Sequence, residues 1–216
     1  LAEMTRIGLP VPGGFTITTE ACAAYNQRGR TWPAGLEKEV RDNLRALERG
    51  CKKKFGAAKN PLLVSVRSGA ARSMPGMMET ILNLGLNDAS VEGLAEASSN
   101  RRFALDAYRR LIMMYGSTAK GIRREHFENA FDEIKNTRTR RRLNRASDAK
   151  VLDTDVNHEE LEELVSGFKE IYRRDCGQEF PQDPFEQLRG AINAVFDSWM
   201  ADKAMTYRRV ENITGL

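Results

Sequence analysis

The chain has little of what marks a secreted, membrane-embedded or metal-bound protein. Its 216 residues include three cysteines. Cys22, Cys51 and Cys176 lie far apart and are odd in number, so they suggest no disulfide framework and point to a reducing, cytoplasmic setting. There are two histidines, His126 and His158. Neither has a cysteine or histidine nearby, so no metal-type spacing exists. No apolar run approaches the roughly 20 residues of a membrane span, and no signal-peptide pattern is visible at the start. Aromatic residues make up 7% of the chain. None is interleaved in the most basic stretch, which holds Arg138, Arg140, Arg141, Arg142 and Arg145. The formal charge of +4 invites a nucleic-acid reading. Without rings to stack on bases, however, that stretch reads as a solvated surface helix or loop. Neither nucleic acid nor membrane is expected as a partner.

What is present is enough for a core. The hydrophobic share of 41% is ordinary for a globular protein, and the length fits one large domain or two small ones. The most informative stretch runs from Leu62 to Leu86. Its apolar start, Leu62-Leu63-Val64-Ser65-Val66, predicts a strand buried on both faces that ends at Arg67. Residues 68–76 then form a small-residue loop. Small side chains let backbone N–H groups approach an oxyanion, and a guanidinium at a strand end can grip phosphate oxygens in two places. Arg67 is the first site candidate on these grounds.

The remaining pattern is mixed at first and then helical. Gly8-Leu9-Pro10-Val11-Pro12-Gly13-Gly14 is turn chemistry. Phe15-Thr16-Ile17-Thr18 is β-prone, and Thr19 is a plausible N-cap for a helix to Asn26. Leu36, Val40, Leu44, Leu47 and Cys51 give an amphipathic helix. From residue 87 onward helical periodicity dominates. Asn87, Asp88 or Ser90 caps one helix. Asn100 caps another, which carries Phe103, Leu105, Tyr108, Leu111, Ile112 and Tyr115. His126, Phe127, Ala130, Phe131 and Ile134 continue the period, and residues 136–150 read as a loop or frayed helix. A helix starting near Asp155–Glu160 buries Leu161, Leu164, Val165, Phe168, Ile171 and Tyr172. Another over 184–201 turns Leu188, Ile192, Val195, Phe196 and Trp199 inward. The carboxylates Asp153, Asp155, Glu159, Glu160, Glu162 and Glu163 read as a solvated face around a helix start.

Several runs resemble the nucleotide-binding domain of the pyruvate, phosphate dikinase family. They are Val64-Ser65-Val66-Arg67-Ser68-Gly69-Ala70, Ser73-Met74-Pro75-Gly76-Met77-Met78-Glu79-Thr80 and Leu82-Asn83-Leu84-Gly85. Leu1-Ala2-Glu3-Met4-Thr5, Gly8–Thr19 and Tyr207-Arg208-Arg209 join them, and only residues 136–150 diverge. The resemblance implies an α+β, helix-rich fold. It would be the first lobe of an ATP-grasp domain, built from residues 1–86 and 185–216, with a helical subdomain inserted at 87–184. It also implies a phosphotransferase that interconverts ATP, phosphate and pyruvate with AMP, pyrophosphate and phosphoenolpyruvate through a phosphohistidine on another domain.

The resemblance carries site roles with it. Arg67 would hold ATP phosphates and act in transfer. Gly69, Ala70, Ser73, Met74, Gly76, Met77 and Thr80 would bind the nucleotide, although Met77 fits a core equally well and Thr80 could simply cap a helix. Glu79 stands where the family usually has aspartate, and Arg72 is assigned no role. The cofactors implied are ATP and Mg²⁺, the latter with its ligands outside this stretch, together with a monovalent cation. The implied partners are pyruvate or phosphoenolpyruvate at another domain, the phosphohistidine domain of the same chain, and a second copy of the parent. The opening at Leu1 suggests a fragment lacking the family's lysine loop and second lobe, and inactive alone. His126 and His158 read as surface residues rather than phosphate carriers. The alternatives are a phosphoenolpyruvate synthase-like enzyme, a glucan/water dikinase-like enzyme, or a non-catalytic nucleotide-binding or regulatory module.

Overall fold

The computed structural model describes residues 2–69 and 79–213. The chain divides into two compact units, Leu1–Lys54 and Phe55–Thr214.

The first unit holds helices α1 (Ala2–Arg6), α2 (Thr19–Gln27) and α3 (Leu36–Cys51). Helix α3 buries Leu36, Val40 and Leu44 in the expected stripe, but Cys51 at its end is exposed. Gly35 precedes it at φ 88°, a left-handed angle that favours glycine. The β-prone run Phe15-Thr16-Ile17-Thr18 forms no strand. Alternation alone does not make one, because a strand's N–H and C=O groups need a partner ladder. Thr18, one residue ahead of the expected cap, sits at the N-terminus of α2.

The second unit is helix-rich around a small sheet, an α+β arrangement. Strands β1 (Val64–Arg67) and β2 (Thr80–Leu84) pair antiparallel, with Val64 opposite Leu84, Val66 opposite Ile81 and Arg67 opposite Thr80. The register shifts between Val64 and Val66. Asn83, at φ 61°, takes up the extra residue. The expectation of a strand buried on both faces fails here. Ser65 and Arg67 are exposed, and Val64 and Val66 are half-buried. The helical layer covers one side of this ladder, so only alternate residues turn inward. Thr80 opens a strand, which removes the helix-cap reading for it.

Local signals placed most helices well. Asn87 caps α4 (Asp88–Ser98) in a reciprocal box with Ser90, and Asn100 caps α5 (Arg101–Lys120) by accepting from Phe103 N at 2.9 Å. Phe103 itself is 49% exposed, contrary to the inward role expected of it. It lies in the first turn of α5, whose buried face begins at Ala104. Helix α6 (Arg124–Ile134) runs into a π-helical turn, Lys135–Thr139, and a last short turn, α7 (Arg140–Arg142). Asn157 caps α8 (His158–Cys176), which buries the whole predicted stripe. Asp183 caps α9 (Pro184–Ser198), with Pro184 in its first turn, and α10 (Asp202–Val210) follows. Helix α5 packs against α4, α8, α9 and β2, and α9 against both strands. Tyr108, Tyr115, Tyr172 and Phe180 share a ring cluster in this core, and Phe127 meets Phe168 edge-on at 5.0 Å.

Most of the basic segment and the acidic cluster lies at the surface as expected, with Glu160 buried, but the two are not independent. They pair with each other. Arg138 meets Glu163 at 2.9 Å, Arg142 meets Glu160 at 3.0 Å and Arg145 meets Asp155 at 2.7 Å. Arg140 donates to the carbonyls of Ala146 and Ala149. Asp153 accepts from Lys135, and Glu162 from Arg101. Glu160 is buried and also accepts from Thr139 Oγ1 and Asn157 N. Burial pushes its pKa up, but the hydrogen bonds from Arg142, Asn157 N and Thr139 together outweigh that and lower it. Residues 135–155 are thereby stapled to the start of α8.

Candidate functional site

The antiparallel ladder brings the two ends of the small-residue loop together. Arg67, the last residue of β1, lies directly opposite Thr80, the first of β2. Side chains alternate along a strand, and Ile81 is wholly buried. Thr80 and Arg67 therefore turn away from the helical layer, and both are exposed. Arg67 is exposed and, among the described residues, makes no hydrogen bond or ion pair; a guanidinium carries five N–H donors. Gly69 follows, exposed, with open space where a side chain would project. The hydroxyl Oγ of Ser68 is buried without a partner among the described residues. The Arg67 guanidinium, the Thr80 hydroxyl and the open backbone at Gly69 thus lie at one end of the sheet, a donor-rich arrangement suited to an oxyanion. The proposed loop residues Ala70, Ser73, Met74, Gly76 and Met77 lie outside the described residues.

The opposite side of this strand end is held by long-range contacts. Glu79, immediately before β2, accepts from Thr118 Oγ1 of α5 at 3.5 Å and from Lys203 Nζ of α10 at 3.1 Å. The far end of β2 is clamped too. Gly85 N donates to Gln187 Oε1 of α9 at 3.0 Å, and Gly85 O accepts from Ser90 Oγ at 2.8 Å. Gln187 Nε2 donates to Leu86 O and Pro181 O, both at 2.8 Å. Gly85 itself is at φ 101°, and a side chain there would meet the Phe55 ring at 2.8 Å. The sequence singles out Arg67 and Thr80 but not Lys203 and Gln187, which the fold brings to this sheet. Nothing near either residue in the chain marks it as a partner of this sheet.

The histidines sit apart from the sheet. His126 Nδ1 is 2.6 Å from Asp175 Oδ2, and Arg174 lies beside both. The Arg174 guanidinium first, and His126 second, hold the Asp175 carboxyl down to about 2. His158 Nε2 is 3.2 Å from Glu159. Among the described residues no three His, Cys, Asp or Glu side chains stand together as metal ligands. No described helix is long and apolar enough to cross a membrane.

Residues 28–215 match the family model described as "Pyruvate phosphate dikinase, AMP/ATP-binding domain". Curated relatives carry the name pyruvate, phosphate dikinase. One from Giardia intestinalis is 49% identical over 213 residues, 99% of this chain and 23% of the relative. One from Clostridium symbiosum is 46% identical over 216 residues, 100% of this chain and 24% of the relative. A chloroplastic form from Mesembryanthemum crystallinum is 47% identical over 216 residues, 100% of this chain and 22% of the relative. The chain therefore spans about a quarter of the length of the relatives it matches. On a match over most of its residues and close identity along its whole length, the chain belongs to the pyruvate phosphate dikinase AMP/ATP-binding domain family.

Proposed function

We propose that this chain is the phosphate-gripping part of a dikinase's ATP-binding domain, and that Arg67 is its principal ligand. The observation that carries the reading is an exposed arginine, without an ionic partner among the described residues, at the Arg67–Thr80 end of a two-stranded ladder. A planar guanidinium there can take two phosphate oxygens at once and stabilise charge as the phosphoryl group moves. Gly69 leaves the backbone approachable, and the Thr80 hydroxyl adds a donor on the same side. Ala70, Ser73, Met74, Gly76 and Met77 are assigned to the same phosphate loop by family resemblance.

The complete enzyme would interconvert ATP, phosphate and pyruvate with AMP, pyrophosphate and phosphoenolpyruvate, using a phosphohistidine carried on another domain. Magnesium would neutralise phosphate charge when bound, with its protein ligands outside residues 1–216. The fold would be the first lobe of an ATP-grasp domain, residues 1–86 and 185–216, with 87–184 inserted. The packing of α9 on both strands supports that return, while the compact units divide at 54/55, inside the proposed lobe. The parent is proposed to act in the cytoplasm as a homo-oligomer. A regulatory module working through the basic segment has less support, because Arg138, Arg140, Arg142 and Arg145 are bound to this chain's own carboxylates and carbonyls.

The test is Arg67→Ala in the complete enzyme, with the two half-reactions measured separately. ATP-dependent histidine phosphorylation should fall roughly 10²–10³-fold, the scale of removing one donor aimed at developing charge. Phosphoryl exchange with pyruvate should stay near normal. Lysine should restore little, because it lacks the two-pronged geometry. No loss in either half-reaction would refute the assignment.

A further inference from the structure

We infer that Glu79 is a positioning residue for the Arg67–Thr80 pair, holding the entry to β2 against α5 and α10 through Thr118 and Lys203. The inference rests on the reading of Arg67 as a phosphate ligand. The described ladder ends at Arg67 and Thr80. A terminal rung frays unless something beyond it is tied down. Glu79 is the next residue, and its two carboxylate oxygens reach two different helices, Oε1 to Lys203 Nζ at 3.1 Å and Oε2 to Thr118 Oγ1 at 3.5 Å. Thr118 is 39 positions away and Lys203 is 124. This one side chain therefore joins the strand end to two elements remote in sequence.

Side-chain alternation puts Glu79 on the helix side of the strand, opposite Arg67 and Thr80. It is thus no phosphate ligand itself, and Lys203 offsets its negative charge on the face that does not meet phosphate. Its effect is geometric. A guanidinium that must meet a moving phosphoryl group has to be held to within about 0.5 Å. The Glu79 and Lys203 side chains are 36% and 48% exposed, so the pair adds little to overall stability. Loss of position at Arg67 should therefore show in the transfer rate before it shows in unfolding.

The experiment uses the complete enzyme and compares Glu79→Gln, Lys203→Met, the double variant, and the swap Glu79→Lys with Lys203→Glu. The rate of phosphoryl transfer from ATP is measured in a single turnover, with KM for ATP and the urea midpoint alongside. Each single variant should slow transfer about two- to five-fold, the scale of a partly exposed ion pair, with KM and the midpoint nearly unchanged. The double variant should be no slower than the worse single, and the swap should regain most of the rate. Effects that multiply in the double variant, a swap as slow as the singles, or a rate loss that tracks the urea midpoint would each overturn the inference. Arg67→Ala runs in parallel. If it is inactive while the Glu79 and Lys203 variants match the parent, only the positioning role falls. If it is fully active, the phosphate reading falls and takes this inference with it.

Discussion

Replacing Gln187 with methionine should be among the most damaging single changes that leave the core volume intact. Gln187 is wholly buried. It accepts from Gly85 N and donates to Leu86 O and Pro181 O. Methionine fills nearly the same space but offers none of these bonds. Three backbone groups around the end of β2 would lose their side-chain partner. Each buried group left unsatisfied costs about 1–3 kcal/mol. Some relaxation or entry of water would recover part of that, so a loss of about 3–5 kcal/mol is expected. A domain of this kind has only about 5–15 kcal/mol in total. Urea unfolding of the 216-residue chain, followed by far-UV circular dichroism, should show a large drop in midpoint with the slope little changed. Gln187→Glu should be at least as harmful, since it presents a carboxylate to two carbonyl oxygens. A loss under about 1 kcal/mol for Gln187→Met would mean that water already competes for these bonds, and the clamp would not be what holds β2 in place.

Two glycines should respond with opposite signs. At Gly93 a side chain would come within 2.1 Å of Ala58 O and 2.7 Å of Ala58 C, both backbone atoms, so Gly93→Ala should destabilise by about 1–3 kcal/mol or more. Gly167 lies inside α8 with open space beside it. There Gly167→Ala should stabilise by up to about 1 kcal/mol, and thermal unfolding of both variants checks the pair. Asp175 should titrate well below its ordinary value of 3.8, near 2. Because its folded pKa is lowered, its contribution to stability is present above about pH 4 and is lost as pH falls towards 2. Arg174→Ala should raise the Asp175 pKa more than His126→Ala does, as read by carboxyl-carbon NMR. The reverse order would assign the shift to the histidine.

Much of this protein can be read one short window at a time. The caps Asn87, Asn100 and Asn157 are interactions spanning three residues, so their signal is complete within a short window of sequence. The stripe from Leu161 to Tyr172 follows from helical spacing alone, since residues three and four apart must share a face. The Arg67 region was visible for a similar reason, because a strand, a strand-end arginine and small residues are contiguous. The outcome differs wherever a side chain's partner lies far along the chain. Composition cannot distinguish a solvated arginine from one paired with Glu160 or Asp155, because both are simply charged residues until the backbone turns back on itself. Leu62–Val66 read as doubly buried because an apolar run reports hydrophobicity and not the number of layers that will cover it. Gln187 and Lys203 carry no local mark at all. Their roles arise only when α9 and α10 are laid against β2, where a buried backbone group or a strand-end carboxylate needs a partner that neighbouring residues do not supply.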